Sequence, residues 1–227
     1  RYRDLSGHVY ALAISYFGSY GLSAYDLDGK PLWSLPLPVA KATFGSGSSP
    51  VLAGDLADAA LAVAPGFFGA CLNKGLVLKQ RGNARDALAA LDQAIALNPN
   101  FAPAHSNRAA VLLDLREYAQ ALEAARRAIT LAPDFAEAWN NQGLAQLDLG
   151  ETEAALESFT QAARLDPANA AALYNAAGIH WQRSDYAKAI EAYRLCLRAA
   201  PMHVAALTDL GLAEAALGNH AVALEHF

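Results

Sequence analysis

Prolines stand at positions 65, 99, 133, 167 and 201, each 34 residues after the one before. A fixed period of that length restricts the chain to architectures made by stacking copies of one unit. Counting units from 68, 102, 136, 170 and 204 aligns further columns. One is always Ala: Ala87, Ala121, Ala155, Ala189 and Ala223. A second is always small: Gly75, Ala109, Gly143, Ala177 and Gly211. A third holds Leu91, Ala125, Phe159, Tyr193 and Phe227, and a fourth Ala94, Ala128, Ala162 and Cys196.

The columns predict two antiparallel helices per unit. The small residue of the first helix and the Ala of the second allow close approach, and the larger residue four places on fills the space beside them. Proline ends the second helix because it lacks an N–H and clashes with a continuing turn. Each pair leaves an apolar face that only the next pair covers, so stability comes from stacking.

The pattern resembles the tetratricopeptide repeat, most fully over 136–169, where Trp139, Gly143, Ala155, Phe159, Ala162 and Pro167 fall on its signature. Cys71 and His105 depart from it at the bulky first position, and Arg108 and Gln142 at the usual Leu. The resemblance implies a mainly α fold, an α-solenoid of helix hairpins wound as a right-handed superhelix. It spans 56–227: a half repeat at 56–67, full repeats at 68–101, 102–135, 136–169 and 170–203, and a truncated one at 204–227.

One polar column has no local reason to exist. Asn73, Asn107, Asn141, Asn175 and Asp209 recur in the first helix of each unit, although Asn is a mediocre helix former that competes for backbone hydrogen bonds. The column lies two residues, about 200°, from both the large and the small packing positions, which turns it away from the neighbouring helix. Seven residues on, on nearly the same face, stand Gln80, Asp114, Asp148 and Gln182. An amide both donates and accepts, which suits it to an extended peptide backbone whatever the side chains. The register of Asn is similar to the asparagine ladder of O-linked N-acetylglucosamine transferase repeats, and that resemblance implies peptide binding by Asn73, Asn107, Asn141 and Asn175, and more weakly by Asp209, whose carboxylate cannot donate. The alternative is a column inherited by duplication whose solvated amides bind nothing.

Residues 1–55 change to a period of two. The runs His8 to Tyr16, Leu22 to Leu27 and Leu32 to Leu37 predict strands, with a tight turn at Asp28-Gly29. Ala24 to Trp33, with Asp26, Asp28 and Gly29 between, resembles the docking motif of quinoprotein-type (PQQ-like) β-propellers, and Phe44 to Leu52 resembles the lead-in to another blade. About 55 residues supply little more than one of the four to eight blades a propeller needs. A β-hairpin or blade-like segment before the helices is therefore expected.

Composition removes other classes. The net charge is −5 at pH 7 and 54% of residues are hydrophobic, so the chain is expected to fold without a nucleic-acid partner. Apolar runs are too short or too interrupted for a membrane span, as by Asp55, Asp58 and Pro65 within Val51 to Phe68. Cys71 and Cys196 belong to no metal-spaced cluster, and His220 and His226 lack the spacing that puts two imidazoles on one helical face. His105 and His180 fall in packing columns and read as core or groove-edge residues. Gly45-Ser46-Gly47 has no following Lys and reads as a loop. Neither a nucleophile elbow nor a cofactor or metal site is legible, so the expectation is no enzyme and no cofactor.

The expected function is a protein-interaction scaffold holding an extended peptide or a partner helix in its concave groove. The alternative is the substrate-recognition region of a glycosyltransferase or sulfotransferase whose catalytic domain follows Phe227. Self-association through the truncated last repeat is also expected. The cytoplasm is the favoured compartment, or the periplasm if a propeller and signal peptide precede Arg1.

Overall fold

The computed structural model describes strand backbone at Tyr2–Arg3 (β1), Val9–Ser15 (β2), Gly21–Tyr25 (β3) and Pro31–Pro36 (β4), together with residues 57, 58, 61, 66 and 68–224. The chain divides into two compact units, Arg1–Val111 and Leu112–Phe227.

In the first unit, β1 to β4 pair antiparallel in chain order. β2, β3 and β4 overlap the runs whose alternation predicts strands, and the register of β3 against β4 shifts between Ala24 and Tyr25. The Asp28-Gly29 turn and the Phe44 to Leu52 segment lie outside the described residues, as does most of 56–67, within which Ala57, Asp58 and Leu61 are helical. Helices α1 (Phe68–Gln80) and α2 (Ala84–Leu97) follow, and α3 (Ala102–Asp114) runs across the division. Phe68 meets Phe101 edge-to-face, ring centroids 5.0 Å apart.

The second unit continues with α4 (Tyr118–Leu131), α5 (Ala136–Asp148), α6 (Thr152–Leu165), α7 (Ala170–Gln182), α8 (Tyr186–Ala199), α9 (Val204–Ala216) and α10 (His220–Leu224). Each packs on the next in chain order, giving consecutive helix hairpins. First helices of the repeats begin at 68, 102, 136, 170 and 204, where the period places them.

The columns pack as their sizes require. A Cβ on Gly143 would lie 2.6 Å from Phe159 Cε1, and one on Gly75 2.7 Å from Leu91 Cγ, so the missing side chain of the first helix is the space taken by the large residue of the second. Ala87, Ala121, Ala155 and Ala189 are wholly buried. Leu173, Ile190, Tyr193, Cys196 and Leu210 join α7, α8 and α9 in one apolar cluster. Where the first-helix column carries a ring nitrogen, it returns to the proline six residues earlier: Trp139 Nε1 donates to the Pro133 carbonyl at 2.9 Å, and His105 Nε2 lies 2.8 Å from that of Pro99.

The two helices of a repeat end by different devices. After the first helix the chain turns through a left-handed residue at Gly82 (φ 78°), Arg116 (61°), Gly150 (81°), Ser184 (60°) and Gly218 (83°). The next N–H then reaches back to a carbonyl five residues earlier at 2.8–3.0 Å, as from Glu151 to Gln146 and from Asp185 to His180. After the second helix the residue before proline is extended, with φ of −141° at Asn98, −144° at Ala132, −133° at Asp166 and −136° at Ala200. Clash with the proline Cδ removes the helical region for that residue.

Candidate functional site

The first helices carry the polar column, and its members differ in access. In the first unit Asn73 on α1 and Asn107 on α3 are half-buried. In the second, Asn175 on α7 and Asp209 on α9 are half-buried, but Asn141 on α5 is only 5% exposed. The expectation of a uniformly open amide row therefore needs correcting at Asn141. At the residue before it, Asn140 Oδ1 on α5 accepts from Asn175 Nδ2 on α7 at 3.4 Å. Gln80, Asp114, Asp148 and Gln182 are the last residues of α1, α3, α5 and α7, and all are exposed.

Three of these nine residues, Asn175, Gln182 and Asp209, meet at a cavity of about 220 Å³ in the second unit. The wall is α7, which adds Tyr174, Ile179 and Trp181; Leu147 of α5, Tyr193 of α8 and Leu212 of α9 close the sides. Asn141, Asp148 and Asp114 do not line it. Tyr174 and Trp181 are seven residues apart, as are their neighbours Asn175 and Gln182, so one face of α7 presents two aromatics beside two amides. That repeated spacing in the sequence is the signal that could have found the aromatics.

The polar chemistry centres on Asp209. The Tyr174 hydroxyl donates to its Oδ2 at 2.8 Å. Burial, then that bond and the carboxylate's charge, push the Tyr174 hydroxyl up to about 12. The Tyr193 hydroxyl is raised too, first by burial and then by the same carboxylate. The far side of Tyr174 is held by His203, whose ring centroid lies 4.8 Å away and whose Nδ1 accepts from Ala206 N–H at 3.1 Å, capping α9. Trp181 is fixed by Tyr186, ring centroids 5.1 Å apart. The Tyr174 hydroxyl at the carboxylate stays neutral across ordinary pH, so the site offers a carboxylate, two amides and aromatic rings.

His180 is also on α7, and desolvation lowers its pKa. His105 is nearly buried. Burial raises the thiols of Cys71 and Cys196, which are free and enclosed. Among the described residues no cluster of three His, Cys, Asp or Glu side chains is placed to hold a metal, and no helix is long and apolar enough to cross a membrane.

A family model described as tetratricopeptide repeat matches residues 72–136, 106–157 and 140–201, which together span more than half of the chain. The chain belongs to the tetratricopeptide repeat family. These matches lie wholly within the helical part, so they carry nothing on the blade resemblance of 1–55. No curated protein matches the sequence. Among solved tetratricopeptide-like folds, PilF of Pseudomonas aeruginosa is 19% identical, with 78% of this chain and 81% of that one covered and a TM-score of 0.70. A crystal structure of MamA is 23% identical, covering 70% of this chain and 87% of that one, TM-score 0.59. YrrB, described as a TPR protein with an unusual peptide-binding site, is 24% identical, covering 70% and 81%, TM-score 0.55. At these identities the likeness is one of tetratricopeptide fold.

Proposed function

We propose that this tetratricopeptide protein is an interaction scaffold that binds an extended polypeptide segment along its first helices. The observation that carries this is the meeting of Asn175, Gln182 and Asp209 with Tyr174 and Trp181 at one cavity, which combines backbone-type hydrogen bonding with rings that bury side-chain area. Asn73 and Asn107, half-buried at the same repeat position, take the same role in the first unit, where Gln80 is an exposed polar group at a helix end, as Asp114 and Asp148 are in the second. Asn141 is buried at the same repeat position. The similarity of the column to the ladder of O-linked N-acetylglucosamine transferase repeats, and the peptide-binding site described for YrrB, favour the same reading.

Photo-crosslinking tests it. With benzoylphenylalanine at Gln182, the protein is expected to attach to a pool of random decapeptides. The same group at exposed Glu157, on the second helix α6, is expected to stay unreacted. Equal labelling from both positions would count against the site.

A further inference from the structure

We infer that the cavity at Asp209 selects a cationic side chain, that of Lys or Arg, from the bound segment; the inference rests on the peptide-binding reading above. Four repeats place an amide at this register and the fifth places Asp209. A carboxylate accepts only, with about four lone-pair positions. Tyr174 fills one of them through Oδ2, and Tyr193 lines the same cavity. Among the described residues no Lys or Arg forms an ion pair with Asp209. The His203 ring beside Tyr174 is turned to the backbone, its Nδ1 lying 3.1 Å from Ala206 N. A half-buried carboxylate beside a cavity, bonded by the Tyr174 hydroxyl and without a Lys or Arg partner among the described residues, favours a ligand that supplies a cation.

The other walls fit the same ligand. Tyr174 and Trp181 line the cavity, and a cation over such rings is attracted by their quadrupole. Leu147, Ile179 and Leu212 offer apolar surface for an alkyl stem. At about 220 Å³ the cavity is smaller than the roughly 300–1,000 Å³ of small-molecule pockets, a size for one side chain rather than a whole ligand. A glutamate side chain would place like charge against Asp209, and a glutamine would leave the carboxylate uncompensated.

The test uses the whole 227-residue chain and four bead-bound decapeptide pools, random but free of charged residues except at a central position fixed as Lys, Arg, Gln or Glu. The Lys and Arg pools are expected to be retained about tenfold better than the Gln and Glu pools at low salt. Asp209→Asn, which keeps an acceptor for Tyr174, is expected to abolish that preference, bringing retention of the Lys and Arg pools to the level of that variant's own Gln pool. Trp181→Leu is expected to weaken the Lys and Arg pools more than the Gln pool, and circular dichroism reports the fold of each variant. Equal retention of the Lys and Gln pools by the parent protein, or a preference that survives Asp209→Asn in a folded variant, overturns the inference and leaves the peptide site standing. Retention of no pool at all overturns the peptide site and the inference together.

Discussion

Tyr174 donates its phenolic hydrogen to Asp209 across 2.8 Å, tying the first helix of one repeat to the first helix of the next. Removing that donor with Tyr174→Phe leaves the ring in place and is expected to cost about 1 kcal/mol in urea unfolding. The bond is also pH-dependent. The folded-state value of Tyr174, about 12, lies above its ordinary 10.0, so the contribution is complete below pH 10 and is lost as pH climbs through about 12. Tyrosinate absorbance followed through an alkaline titration should show a late-ionising tyrosine that is missing in the Phe variant.

Gly143 is required by Phe159 rather than by the backbone. Gly143→Ala drives a methyl to 2.6 Å from the ring and is expected to destabilise by about 1–3 kcal/mol. Combining it with Phe159→Ala, which gives the small residues that the same two sequence columns hold at 109 and 125, relieves the clash. The denaturant midpoints of the double variant and of Phe159→Ala alone should therefore coincide.

The turn after each first helix makes the opposite demand. Arg116 (φ 61°) and Ser184 (φ 60°) hold the left-handed conformation that Gly82, Gly150 and Gly218 adopt without strain. Arg116→Gly and Ser184→Gly are each expected to stabilise by about 1 kcal/mol, and Gly150→Ala to destabilise by a similar amount. No atom lies within 4 Å of the added Cβ at Gly150, so that loss reports backbone strain alone. Thermal melts of the three variants check the signs.

Two ion pairs of equal length differ in consequence. Arg194 and Arg108 each reach a carboxylate at 2.6 Å, but Glu214 is 3% exposed and Asp92 50%. Glu214 also accepts from Asn219 at 2.8 Å. Arg194→Ala leaves a buried carboxylate short of a donor and is expected to cost about 2 kcal/mol. Arg108→Ala should stay within about 0.5 kcal/mol. Unfolding free energies of the two variants make the comparison.

The repeat was legible because proline and small-residue spacing are direct consequences of helix packing. First helices start at Phe68, Ala102, Ala136, Ala170 and Val204, on the period. What escaped depends on which side chains a third helix brings together. Asn141 reads from the sequence like its column mates, yet it is buried while they are half-buried. Tyr174 and Trp181 stand outside the columns that the period picks out, and they become walls of a cavity together with residues of α5, α8 and α9. The left-handed turn column is Gly in three repeats and hidden by Arg116 and Ser184 in the other two. Glu214 falls in the same 34-residue column as His180, and Arg194 and Asn219 hold its charge inside, partners that the period does not disclose.

The central claim, that the asparagine column grips a polypeptide, is tested most directly by replacing the three half-buried amides Asn73, Asn107 and Asn175 together with Ala and measuring retention of the random decapeptide pool. The account predicts that retention is lost while the helical circular dichroism and the melting temperature hold. Undiminished retention by the folded triple variant would contradict it.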